Sequence, residues 1–149
     1  MSDLHIDDFY KDAALILLQL YKNFPRKITL FVEDIAGPDV VDDFGLHSER
    51  HLACFSTIRW LADSHYLHFD DTIREEATDQ TVLSHKAFTL LASPAPEYRP
   101  AELEHLPDSV QQSLSTNVAQ LRLAIKAGST STINQLVQSL LIQSRQHSI

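Results

Sequence analysis

With 149 residues, 44% of them hydrophobic, the chain has the length for one ordinary domain carrying a helical appendage, and enough apolar content to exclude disorder as its main state. Its formal net charge of −8 is unevenly placed: residues 1–92 hold 16 acids against 8 bases, residues 93–149 hold 4 of each, a balance that disfavours a phosphate-binding face. No apolar run approaches the ~20 residues needed to cross a bilayer. Residues 1–8 read as no signal peptide, and a single cysteine, Cys54, leaves no internal disulfide framework, so a cytoplasmic protein without membrane contact is expected.

Asp7 and Asp8 suit the N-cap and first turn of a helix over residues 9–23. Phe9, Ala13, Ile16, Leu17, Leu20 and Phe24 recur at helical spacing, and Ala14, Leu15 and Leu18 widen that face, which predicts a central core helix. Pro25 ends it. Residues 28–32 favour a strand, Gly37-Pro38 breaks the chain, and residues 40–46 fit either a short helix or an irregular segment. Ser48 is a suitable N-cap for a helix to about Ser64, with His51, Cys54, Phe55, Ile58, Leu61 and Ala62 on one side and Glu49, Ser56, Arg59 and Asp63 on the other. Ala53 and Trp60 lie at the edge of that polar side.

Residues 66–69 read as a strand, 70–80 as an acidic excursion, and 81–83 as a short return strand. Ser84 can cap a helix bearing Ala87, Phe88, Leu90 and Leu91. Pro94, Pro96, Pro100 and Pro107 mark residues 93–107 as a linker. Beyond it, Val110, Leu114, Val118, Leu121 and Ile125 trace one helical stripe, stopped at Gly128. Ser131 or Thr132 can cap a final helix with Ile133, Leu136, Val137, Leu140 and Leu141 inward.

The segment Trp60-Leu61-Ala62-Asp63-Ser64-His65-Tyr66-Leu67, followed by Thr81-Val82-Leu83-Ser84-His85-Lys86-Ala87-Phe88-Thr89-Leu90-Leu91, resembles the winged helix-turn-helix superfamily. The resemblance runs over about residues 9–91 and matches the end of a recognition helix, a wing strand, and a second strand entering a helix. It implies a winged-helix-like domain at 1–92, mainly α with a small β-wing; the prolines and periodicity beyond it add a Pro-rich linker at 93–107 and a C-terminal helical hairpin at 108–149. It also implies DNA binding through helix and wing, and a homodimer built on the added helices; packing of those helices on their own domain is the alternative.

Two features depart from a DNA-binding winged helix. On the presumed recognition helix, Glu49 and Asp63 offset Arg50 and Arg59. The presumed wing, 70–80, holds Asp70, Asp71, Glu75, Glu76 and Asp79 against Arg74 alone, a net charge of −4 that phosphates repel. The favoured reading is therefore a non-enzymatic regulatory or adaptor protein acting on a protein partner through Arg59, Trp60, Glu75 and Glu76. Trp60 can serve as an exposed anchor or pack against the wing or the C-terminal helices. The alternative is a dimeric DNA-binding transcriptional regulator using Arg50, Ser56 and Arg59 on bases, with Lys22, Arg26, Lys27 or Lys86 on phosphates. A third reading is a small-molecule sensor with its pocket between domain and hairpin.

No catalytic motif accompanies these elements: the chain has no GxSxG, only three glycines, and adjacent acids at Asp42-Asp43 and Glu75-Glu76 that read as solvated surface. His47, His51 and Cys54 stand at i, i+4, i+7 and can face one way for zinc, but the helical wheel turns them toward the core and His47 precedes the cap. His65 and His68, three apart on a strand, face opposite ways. No metal, cofactor or enzymatic activity is expected.

Overall fold

The computed structural model describes residues 3–96 and 105–146. In chain order its elements are α1 (Leu4–Asn23), β1 (Ile28–Phe31), α2 (Val32–Ala36), α3 (Glu49–Asp63), β2 (Leu67–His68), β3 (Asp71–Ile73), β4 (Ala77–Leu83), α4 (His85–Ala92), α5 (Asp108–Leu114), α6 (Asn117–Ala127) and α7 (Thr130–Gln146). The described chain is thus mainly helical with a small antiparallel sheet of four strands.

Helix α1 starts before the expected acidic pair. The carbonyl of Asp3 accepts from Ile6 and Asp7 N–H at 3.0 and 3.1 Å, and no breaker lies between Leu4 and Asp8. The acids therefore sit inside the helix near its positive end, where negative charge is favourable. Ala13, Ala14, Ile16, Leu17 and Leu20 are buried, as the periodicity demands, and the helix stops at Asn23 ahead of Pro25.

Strand β4 organises the sheet. β1 pairs with it antiparallel on one edge through Ile28↔Thr81, Leu30↔Thr78 and Phe31↔Ala77. On the other edge lie β2, through Leu67↔Leu83, and β3, through Thr72↔Thr78. The return strand is longer than the sequence suggests, beginning at Ala77 instead of Thr81, and the acidic excursion is a hairpin: β3, a turn through Arg74 (φ 53°), and β4. Asp71–Ile73 is exposed throughout, so it shows no apolar alternation for a sequence reading to detect.

Ser48 and Ser84 cap α3 and α4 as expected, accepting from His51 N–H and Ala87 N–H, both at 3.1 Å. The stripe from Val110 to Ile125 is not one helix. α5 ends at Leu114, and Thr116 caps α6 by accepting from Ala119 N–H at 3.2 Å, because the start of α6 is tied instead to the end of α4. Asn117 N–H donates to Ser93 O at 2.8 Å, Ala95 N–H donates to Ser115 O at 2.7 Å, and the buried Asn117 amide donates to Leu90 O at 2.8 Å. Val110 is left exposed. Gly128 ends α6 in the left-handed region at φ 72°. The final helix begins at Thr130, with Ser129 rather than Ser131 or Thr132 at its start, its hydroxyl 3.4 Å from Thr132 N–H.

The apolar faces of α6 and α7 lie against α1 and α4 of the same chain. Val118, Leu121, Ala124, Ile133, Val137 and Leu140 join one continuous core with Ile16, Leu20, Ile58, Leu61 and Leu91. Polar ties close the seam: Asn134 donates to Asp7 at 2.8 Å and Gln138 to Tyr10 at 3.0 Å. The faces that the sequence offers for dimerisation are thus buried internally. Leu121 is wholly buried, so Leu121→Ala should destabilise the protein by about 2–5 kcal/mol. In urea unfolding, Trp60 fluorescence and far-UV circular dichroism should shift together, since Trp60 packs on Tyr66, which shares a core with Leu121. A shift in circular dichroism alone would mean that the hairpin unfolds independently.

Candidate functional site

The exposed side of α3 presents Ser56, Arg59, Trp60 and Asp63. Trp60 keeps 43% of its surface in solvent, while its inner edge meets Phe9 edge-on at 5.3 Å and its ring runs nearly parallel to Tyr66 at 6.3 Å. It is both packed and available. Arg50 belongs to a different environment. Its guanidinium donates to Asp12 Oδ2 at 2.7 Å and stands 3.7 Å from Asp8, pinning α3 to α1. Asp12 is fully buried, and the hydrogen bond from Arg50 raises the guanidinium pKa. Of the candidate base-contacting set, Ser56 and Arg59 share the exposed face, whereas Arg50 is turned inward to Asp12. Lys86, a candidate phosphate contact, donates to Ser64 O at 3.0 Å and lies over the Tyr66 ring. Lys22, Arg26 and Lys27 are exposed at the end of α1.

Glu75 and Glu76 form the tip of the β3–β4 hairpin. Their carboxylates are exposed, but their carbonyls are anchored: His51 Nε2 donates to Glu75 O at 2.7 Å and Val32 N–H to Glu76 O at 2.9 Å. Next to this tip lies the segment that the sequence left open between helix and irregular chain. It is an irregular, built turn. Asp42 Oδ1 accepts from Phe44 N–H and Leu46 N–H, both at 2.9 Å, Asp42 N–H donates back to Leu46 O at 3.0 Å, and Gly45 takes φ 77°. The turn holds its apolar side chains outward, leaving Val40 86%, Phe44 88% and Leu46 62% exposed.

The same loop returns into a polar cluster under the hairpin tip. Asp39 Oδ2 is 2.8 Å from His47 Nδ1 and 3.7 Å from His51 Nδ1, and the two imidazoles stack at 3.9 Å. Asp39 also accepts from the Ser48 hydroxyl and from Ser48 N–H at 3.2 Å. The Ser48 hydroxyl, more than any other partner, holds the Asp39 carboxyl down at about 2. His47 and His51 meet Asp39 and not Cys54, the third member of the i, i+4, i+7 trio, because Cys54 lies in the core toward Asp12 and Arg50. Burial first, then the Asp12 charge, pushes its thiol up to about 12. Asp39 is the member that sequence reasoning missed. It sits nine residues before Ser48 in a loop without periodicity, and its only signal is its place directly after Gly37-Pro38.

Between α1, α4 and α7, where a sensor would need its pocket, the core leaves a void of about 10 Å³ lined by Phe9, Leu17, Leu61 and Val137, room for no more than one water. A shallow open cleft of about 240 Å³ lies at the start of α1 against Thr130 and Asn134.

Two expectations follow. Arg50→Met strands a buried carboxylate and should destabilise the fold by about 3 kcal/mol, whereas adding Asp12→Leu should recover most of that loss; calorimetry or urea unfolding of the single and double variants decides it. Cys54 should resist thiol-reactive disulfide reagents at pH 8 in the folded protein and react at once in denaturant, since its thiolate is scarce below about pH 12. Fast labelling of the native protein would contradict that placement.

Comparison with protein-family models, with curated proteins and with solved structures gives no match.

Proposed function

We propose that the protein is a non-enzymatic regulatory or adaptor module of winged-helix type that acts through protein contacts. The order α1–β1–α2–α3–β2–β3–β4, with β1 on one edge of β4 and β2 and β3 on the other, supports the winged-helix part: α3 stands where a recognition helix would, and the β3–β4 hairpin where a wing would. The observation that carries the functional part is the turn around Phe44. A self-bonded loop that holds Val40, Phe44 and Leu46 in solvent gains nothing from folding alone, and exposed apolar side chains gathered on one short loop suit a contact surface. Asp42, Asp43, Glu75 and Glu76 lie in or beside that turn, so the surface is apolar and acidic. It suits a partner with apolar and basic side chains, and it repels a phosphate backbone. Arg59 and half-exposed Trp60, on the exposed side of α3, are a second candidate contact.

Two measurements test this reading. Fluorescence anisotropy with a random-sequence DNA duplex should show no binding even at low salt; an affinity of about 10⁻⁴–10⁻⁶ M that falls steeply with salt would favour a DNA-binding regulator instead. Phe44→Ser combined with Glu75→Lys and Glu76→Lys changes only exposed side chains, so its melting temperature should stay near that of the parent. The proteins captured by the parent chain should be lost. An unchanged set of captured partners would remove both the turn and the hairpin tip from the contact.

A further inference from the structure

We propose that Asp39, His47 and His51 form a binding site for a divalent transition-metal ion of the zinc class. One ligand atom from each residue lies within 4.8 Å of the others. The inference rests on the state of His51, which is 2% exposed. Its Nε2 is 2.7 Å from the carbonyl of Glu75. A carbonyl only accepts, so Nε2 carries the proton and Nδ1 of the neutral ring is a lone pair. That Nδ1 is buried, has no hydrogen-bond partner, and faces Asp39 Oδ2 at 3.7 Å. A lone pair and a carboxylate oxygen repel unless a cation stands between them, and 3.7 Å is too long for a proton on Nδ1 to make a hydrogen bond. A metal ion supplies the missing charge and satisfies the orphaned nitrogen.

The donor set selects the ion. Two imidazoles and a carboxylate suit zinc, cobalt, nickel and iron(II), whereas magnesium and calcium prefer oxygen alone. The surroundings match those that orient metal ligands. Glu75 O fixes the His51 tautomer with Nδ1 inward, and Ser48 holds Asp39 through both its hydroxyl and its N–H. On binding through Nδ1, His47 takes the tautomer protonated at Nε2, and the Glu76 carboxylate, 3.9 Å from Nε2, has to move closer to accept that N–H. Ligand atoms in a tetrahedral zinc site are about 3.3 Å apart, so His51 Nδ1, 3.7 Å from Asp39 Oδ2, must close in while His47 Nδ1, 2.8 Å from it, draws back. His47, the least buried of the three and outside α3, has the freedom to turn out of its stack with His51. Three protein ligands leave a fourth position for water.

A metal there would clamp three segments: the loop bearing Phe44, the start of α3, and, through Glu75 O, the hairpin tip. The inference does not depend on the protein-contact reading, and either can fail alone. The test uses the tag-free full chain, stripped of metal by chelation, and isothermal titration with zinc chloride. One zinc per chain should bind and raise the melting temperature, magnesium should do neither, and cobalt(II) should give visible d–d absorption. Asp39→Asn and His47→Gln should each weaken zinc binding by more than the roughly 10–100-fold that loss of an outer partner costs, while His68→Ala, at the exposed position of β2, should leave it unchanged. Because His51 is in the core, its part is read in the parent chain: zinc should move the His51 Nδ1 resonance in a long-range ¹H–¹⁵N imidazole spectrum. Absence of zinc binding, binding that survives both variants, or an unmoved His51 Nδ1 would each overturn the assignment.

Discussion

Helix α1 buries more of its circumference than one packing partner can cover. At about 100° per residue, Asp12, Ile16, Leu20, Ala13, Leu17 and Ala14 fill an arc of more than half a turn, and a helix that is apolar over so wide an arc needs neighbours on more than one side. α3 and the sheet cover one flank, and α6 and α7 cover another. The C-terminal hairpin is therefore a required part of the core: without it, Ala13, Leu17 and the inner faces of α4 would face water. The same arc contains Asp12, a buried acid. Its pairing with Arg50 fixes the rotation and translation of α3 against α1, because an unpaired buried carboxylate costs about as much as a deleted core leucine.

The parts of this fold that were legible in the sequence are those where one strong local signal had no rival. Ser48 and Ser84 cap helices because each lies three residues before the N–H that its hydroxyl accepts from, and Gly128 terminates α6 because the left-handed conformation there is strained for any side chain with a Cβ. The wheel for α3 correctly separated its buried residues from Ser56, Arg59 and Trp60. Errors arose where a distant contact overrode a local pattern. Val110 to Ile125 keeps a helical stripe through Ser115 and Thr116, yet the chain breaks there to bond with Ser93 and Ala95. β3 has no buried side chain and exists because β4 offers it a backbone ladder.

The polar cluster shows the same limit more sharply. Helical spacing correctly put His47 and His51 near one another but supplied Cys54 as their companion, since i, i+4, i+7 is the only proximity a wheel can express. The actual companion comes from a loop whose conformation depends on Asp39 and Asp42 accepting bonds from residues up to nine positions later. Such a loop has no period to read. The apolar residues Val40, Phe44 and Leu46 in it were equally opaque, because a short apolar run reads the same whether its side chains turn inward or out.

Ser48 explains why these features occur together. Its hydroxyl accepts from His51 N–H to start α3 and donates to Asp39, and its own N–H donates to the same carboxylate. One residue thus begins the helix, closes the loop that carries Phe44, and sets the orientation of the acid beside both histidines. Two residues further, Arg50 reaches back to Asp12; one residue after that, His51 reaches forward to Glu75 on the hairpin tip. The first turn of α3 is therefore the point through which the core, the exposed turn and the acidic hairpin are mechanically joined. A change in charge at the Asp39–His51 contact therefore bears on the loop and the hairpin together, alongside the tie from Val32 N–H to Glu76 O at 2.9 Å and the approach of His47 to Glu76 at 3.9 Å.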